Sequence, residues 1–147
     1  MDADGNSEAR IGWGTGFKLA NAAGVLTELD EVTNIALPEE TADDVEVTHY
    51  KSPGRRKEYI GGLIEPGEGS IELNYVPGSA TDVLLKAAHG QRRAFEAELP
   101  DENGDPAWKI SGYLIVKSRS RSIPVGDRLQ MTVSVRYTGA SDEAEAA

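Results

Sequence analysis

The chain contains no cysteine, which excludes a disulfide framework and a thiolate metal site and leaves the redox compartment open. Histidine is nearly absent too: His49 and His89 stand in different segments, without HExxH or any other ligand spacing, so both read as surface side chains. No apolar run approaches the length of a membrane span. Residues 1–8, MDADGNSE, are acidic and polar where an export signal is basic and then apolar. The expectation is a soluble protein made in a cytoplasm, with no membrane partner. Basic residues are in the minority, 15 against 25 acidic ones, for a formal charge of −10. That balance argues against a nucleic-acid-binding surface, because duplex affinity is dominated by Lys and Arg neutralising phosphates. Aromatic residues are few, two Trp, two Phe and five Tyr. Most fall at inward strand positions or in the N-terminal segment, leaving Trp13, Tyr50 and Tyr113 as candidates for an exposed ligand-binding face.

Signatures of chemistry are missing as well. GWGTGF at residues 12–17 lacks the third glycine of a dinucleotide fingerprint and does not sit between a clear strand and a helix. DENGD at 101–105 begins like a calcium loop, but Pro106 stands where that loop needs Gly and Gly112 where it needs a bidentate Glu, so it reads as a hairpin turn. There is no nucleophile elbow and no spacing that selects a catalytic carboxylate pair. No catalytic residue, metal site or cofactor is implied, and an enzyme is the unfavoured class.

What is present is alternation. At 147 residues the chain suits one domain with a real core. In AWKISGYLIVK, Trp108, Ile110, Leu114 and Val116 share one face. In DRLQMTVSVRYT, Leu129, Met131, Val133, Val135 and Tyr137 alternate with Arg128, Gln130, Thr132, Ser134 and Arg136, predicting a long strand over 127–138 with one buried face. Shorter strands are predicted at 16–20, 32–37, 45–48, 70–75 and 92–99, with Phe95, Ala97 and Leu99 inward. One segment breaks the pattern. SATDVLLKAAHG opens on the capping-type residues Ser79 and Thr81 and closes on Gly90, the grammar of a short helix. One helix among seven or eight strands makes the class mainly β, a β-sandwich or open barrel with one short flanking helix and a long extended hairpin loop. The ends carry six acids and no bases, leaving 19 against 15 between them. Residues 1–16 are expected as a flexible arm, 17–139 as the sandwich domain and 140–147 as an acidic flexible tail.

The loop is the anomaly. Between Val47 and Tyr59 lie about ten polar residues, where a strand connection is usually two to five. The run VTHYKSPGRRKEYIGGLIEPGEGSIELNYVPG, followed by the short helix, RRAFEAEL, WKISGYLI and IPVGDRLQMTVSVRYTG, resembles the tail tube (major tail) proteins of long, non-contractile-tailed phages over most of residues 20–139. The resemblance implies a β-sandwich that forms hexameric rings, stacked into a hollow tube that carries DNA without binding it specifically. It implies tape measure, terminator and baseplate or tail-tip proteins as partners, and a place in the virion after assembly in the host cytoplasm. A contractile injection or secretion system tube is the nearest alternative, and a monomeric ligand-binding sandwich the alternative of a different class.

In such tubes the long hairpin loop lies against neighbouring subunits. Here it is expected at about 48–62, unstructured until a neighbour orders it, with Lys51, Arg55, Arg56, Lys57, Glu58 and Tyr59 as interface residues. Glu39, Glu40, Asp43 and Asp44 are the candidate acidic partners, within the chain or between subunits. Gln130, Thr132 and Ser134 are candidates for the lumen wall, and Trp13 for an anchor in the arm.

Overall fold

The computed structural model describes residues 3–101 and 103–145. Met1 and Asp2 of the expected arm, Glu102 of the DENGD turn, and Ala146 and Ala147 of the expected tail lie outside the described residues. In chain order the elements are β1 (Gly16–Ala20), β2 (Leu26–Glu28), β3 (Val32–Ala36), β4 (Thr41–Glu46), β5 (Tyr59–Glu65), β6 (Glu68–Asn74), α1 (Ala80–Ala88), β7 (Arg92–Pro100), β8 (Pro106–Ser122), β9 (Gln130–Tyr137) and β10 (Asp142–Glu145).

One antiparallel sheet runs β2-β1-β7-β8-β9-β6-β3, with β10 added along β8, and β4 and β5 form a ribbon of their own. The inner face of the sheet is the alternation written in the sequence. Phe17, Leu19, Ile71, Leu73, Phe95, Ala97, Leu114, Val116, Met131, Val133, Val135 and Tyr137 are all buried in one cluster. Phe95 stacks between Phe17 and Tyr137, with ring centroids 5.7 and 5.0 Å away. Because β3 and β7, far apart in strand order, line the same groove, the sheet is folded over its core as an open sandwich.

The helix covers the core at one end. Ser79 caps it by accepting from the Asp82 N–H, and Gly90 with φ +75° provides the left-handed exit. Leu84, Leu85 and Ala88 face the core at helical spacing, and each large apolar side chain so buried stabilises the fold by about 1.5–3 kcal/mol. Thr81 is also buried. Its hydroxyl accepts from the Asp30 N–H rather than capping, which ties the helix to the turn before β3.

Three sequence expectations change here. The strand expected at 45–48 lies earlier, at Thr41–Glu46, so the acidic run is itself strand. The strand expected from 127 begins at Gln130, the preceding residues forming a hairpin turn. The acidic tail forms β10 over Asp142–Glu145, antiparallel to β8 from Ser111 to Trp108. It continues the line of β9 after a break, using the edge of β8 that β9 leaves unpaired. The strands at Gly16–Ala20 and Arg92–Pro100 fall where expected, and the Asp101 carboxylate accepts from the Asn103 and Asp105 N–H groups to close the β7–β8 turn.

Candidate subunit interfaces

The ribbon is the most distinctive feature of the molecule. All of its strand residues are exposed, although they include Val45, Tyr59, Ile60, Leu63 and Ile64. Register decides what each face carries. Val45 opposes Ile60, and the Val47 N–H donates to the Glu58 carbonyl, so Val45, Val47 and Ile60 share one face with Asp43 and Gly62. Ala42, Asp44, Glu46, Tyr59 and Ile64 lie on the other. A bulge on β5 at Gly62 and Leu63, opposite Asp43, divides the two alignments, and Gly62 packs where a Cβ would stand 2.8 Å from the Val45 methyl. An apolar face on a ribbon that its own core does not cover is a surface awaiting a partner.

The tip is shorter and better organised than the expected 48–62 loop. Residues 59–62 belong to β5, and a 3-10 turn at Pro53–Arg55 holds the connection. Ser52 Oγ accepts from the His49 N–H (2.9 Å) and donates to Glu58 Oε2 (2.7 Å), while the Glu58 N–H donates to Thr48 Oγ1 (2.9 Å). His49 Nε2 lies 3.4 Å from the same Glu58 carboxylate. Glu58 is thus an internal brace of the tip. Lys51, Arg55, Arg56 and Lys57 are left projecting, and among the described residues no ion pair joins them to Glu39, Glu40, Asp43 or Asp44. Glu40 instead accepts from the Ser141 hydroxyl at 2.7 Å.

The second surface is the outer face of β8, β9, β6 and β3. Gln130, Thr132 and Ser134 are half-buried and opposed by Asn74, Glu72 and Ser70 on β6, and by Ser122, Ser120 and Ser118 on β8. This field of hydroxyls and amides, with the Glu72 carboxylate among them, depends on a register shift between Val116 and Ser118. After the shift Arg119 and Arg121 turn to the inner side, where Arg119 pairs with Asp82 at 3.3 Å and Arg121 sits over the Tyr75 ring. Arg136 is drawn to the sheet margin by Glu65 and Glu68, each at 3.4 Å. The outer face across β1, β7 and β8 differs in kind, carrying a charge ladder of Lys18 with Glu98 (3.1 Å) and Lys109 with Glu96 (3.5 Å). Lys18 beside it holds the Glu98 carboxyl below its ordinary range, and Glu98 in turn raises Lys18.

The third surface is a groove of about 720 Å³ at the open side of the sandwich, bounded by residues 12–15 of the arm, by β3 and by Ala97 and Leu99. Trp13 lies on its rim with 80% of its surface exposed. Leu99 and its partner Trp108, expected inward, are both partly exposed because the β7–β8 hairpin runs on past the covered core. The sequence reading missed Ile60, Leu63 and Ile64 as surface residues; their signal was the glycine pair in YIGGLIE, which no core-facing strand requires. It also missed Ile123 and Val125, exposed at the β8–β9 turn.

Among the described residues no group of three His, Asp or Glu side chains is placed to hold a metal ion. The arrangement defines a β-sandwich subunit whose distinctive surfaces suit joining protein to protein. A family profile described as "Lambda phage tail tube protein, TTP" matches residues 11–144, and the chain belongs to that family. Its members are structural components of the virion. No curated protein sequence matches the chain. Among solved structures it is similar to a chain of the anti-feeding prophage baseplate (TM-score 0.76, 11% identity, 95% of this chain and 97% of that one covered). It is also similar to a chain of the native gene transfer agent virion (0.69, 17%, 95% and 100%) and to the SPP1 tail tube (0.65, 15%, 90% and 77%). At these identities the likeness establishes the fold, which the mainly β expectation with one flanking helix matches.

Proposed function

We propose that the chain assembles as hexameric rings stacked into the tail tube through which DNA leaves the particle, with the β4–β5 ribbon laid against neighbouring subunits. The observation that carries this is the ribbon itself: exposed apolar side chains, Val45, Val47 and Ile60 on one face and Ala42 and Ile64 on the other, that its own core leaves uncovered, in a member of a tail tube family. Lys51, Arg55, Arg56 and Lys57 of one subunit meet Glu39, Glu40, Asp43 and Asp44 of the next and set its register, with Tyr59 beside them. Trp13 anchors the arm on a neighbour. The hydroxyl and amide face with Gln130, Thr132 and Ser134 lines the bore, where few cations are present to hold phosphates, so DNA passes without specific binding. Tube assembly takes place in the host cytoplasm with tape measure, terminator and baseplate or tail-tip proteins. The six-fold symmetry of a similar gene transfer agent tail and of the anti-feeding prophage baseplate supports the ring number.

The likeness to the anti-feeding prophage baseplate chain favours a second reading, the inner tube of a contractile injection system. Negative-stain electron microscopy of the purified protein tests the first: six-fold rings and hollow tubes are expected. Monodisperse monomers at every concentration and salt would overturn it, and tubes that recruit a contractile sheath would favour the second.

A further inference from the structure

Two apolar features lie at opposite ends of the longest strand. β8 has 17 residues, roughly 50 Å if straight. At one end the β8–β9 turn presents Ile123, Pro124 and Val125, with Ile123 73% exposed and Val125 fully so. Toward the other end, Leu99 pairs with Trp108 and lines the groove with Ile35, Leu37 and Trp13, opening toward the core residue Ala97. The two ends also differ in charge. Arg121 and Arg128 flank the turn with Asp127 beside them, whereas Glu39, Asp101 and Asp105 follow closely on the groove residues Leu37 and Leu99, with Arg10 among the nearby bases, donating to the Pro100 carbonyl. β10 adds Asp142, Glu143 and Glu145 along the same end of β8.

We propose that the groove receives the Ile123–Pro124–Val125 turn of a second copy of this chain in the next ring, so that rings stack head to tail by a knob and a socket. The proposal rests on the stacked-ring reading above and adds the contact that joins one ring to another. A contact between two different patches repeats without closing, which is the symmetry an elongating tube needs. The charges favour this occupant over the ribbon of a second copy: Asp43, Asp44, Glu46 and Glu65 accompany the ribbon's apolar residues and would face the acids around the groove, whereas the turn arrives with Arg121 and Arg128 against Asp127.

The absence of cysteine allows a direct test. The double variant Leu37→Cys/Val125→Cys alters two surface-accessible positions, and a disulfide forms only if the Cβ atoms approach to about 4 Å. In oxidised tubes the expected product is a ladder of covalent oligomers running well past six chains, because links between rings continue along the tube. Tubes that yield no cross-link, or a ladder that stops at the hexamer, would overturn the proposal, as would efficient cross-linking of Leu37→Cys to Ile60→Cys instead. Independently, Ile123→Glu/Val125→Glu is expected to keep the subunit's Tm and its rings while abolishing tubes; normal tubes from that variant would overturn the knob. Failure of the unsubstituted chain to form rings would defeat the assembly reading itself, and this contact with it.

Discussion

Tyr137 ends the core face of β9 with its ring on Phe95 and its hydroxyl buried, and among the described residues that hydroxyl has no hydrogen-bond partner. Burial, then the nearby Glu40 and Glu143 carboxylates, pushes the phenol from its ordinary 10.0 up to about 12. The folded chain therefore keeps a proton that the unfolded chain loses as pH rises from about 10 to about 12. Its contribution to stability is complete below about pH 10 and declines through that window. Tyr137→Phe removes both the unmet hydroxyl and the titration. At pH 8 the variant should melt at or slightly above the temperature of the parent, since an unpaired buried polar group costs about 1–3 kcal/mol. At pH 11 its advantage should widen. Melting curves at the two pH values check this, and a variant less stable at pH 8 would mean that the hydroxyl has a partner. A residue-scale constraint of another kind operates at Gly69, where a Cβ would collide with the Ala36 carbonyl and approach the Pro38 nitrogen to 2.8 Å. The β3–β4 connection crosses β6 so closely there that only glycine fits, and this crossing launches the ribbon.

At the scale of the element, the ribbon separates stability from assembly. Its side chains are exposed, so its charged tip contributes little to the fold, and exposed ion pairs are each worth about 0.2–1 kcal/mol. The same pairs recur at every subunit of a tube, where small losses accumulate. Replacing Arg55, Arg56 and Lys57 together with Glu is expected to leave the subunit's Tm within about 1 °C and to prevent tube formation, read by circular dichroism and by electron microscopy. Normal tubes, or a subunit that unfolds, would show that the tip is not an inter-subunit element. Because Ser52, Thr48 and Glu58 organise the tip internally, less ordering entropy opposes its docking than an unstructured loop of that length would carry.

For the whole molecule, the decisive property is the contrast between faces of one sheet. The field around Thr132 and Ser134 carries hydroxyls, amides and the Glu72 carboxylate, the ladder across β1, β7 and β8 pairs lysines with glutamates, and Arg136, on the polar alternation of β9, is held by Glu65 and Glu68. With that field on the bore, Thr132→Lys/Ser134→Lys is expected to permit tubes but to make them retain DNA at low salt and release it as salt rises, measured by filter binding across a salt series. Tubes of this variant that bind no DNA at any salt would place another face on the lumen. A neutral to negative bore is expected from this face, with Arg128 an exposed cation two residues before Gln130.

The sequence by itself determined the mainly β class, the buried face of β9 and the capped helix, because period-two and helical patterns are local and core burial enforces them residue by residue. It also marked the ribbon as an anomaly, through a connection too long and too basic to be a simple turn, and its ordered motifs carried the family resemblance. Only the tertiary structure decided where the acidic segments went. Asp43 and Asp44 entered a strand and Asp142–Glu145 an edge, since strand pairing is a backbone property that any side chain can accompany when a partner edge is vacant. It decided too which side of β8 carries serines and which carries arginines. SRSRS alternates identically in either register, and the single shift at Lys117 sends Ser118 and Ser120 to one face and Arg119 and Arg121 to the other.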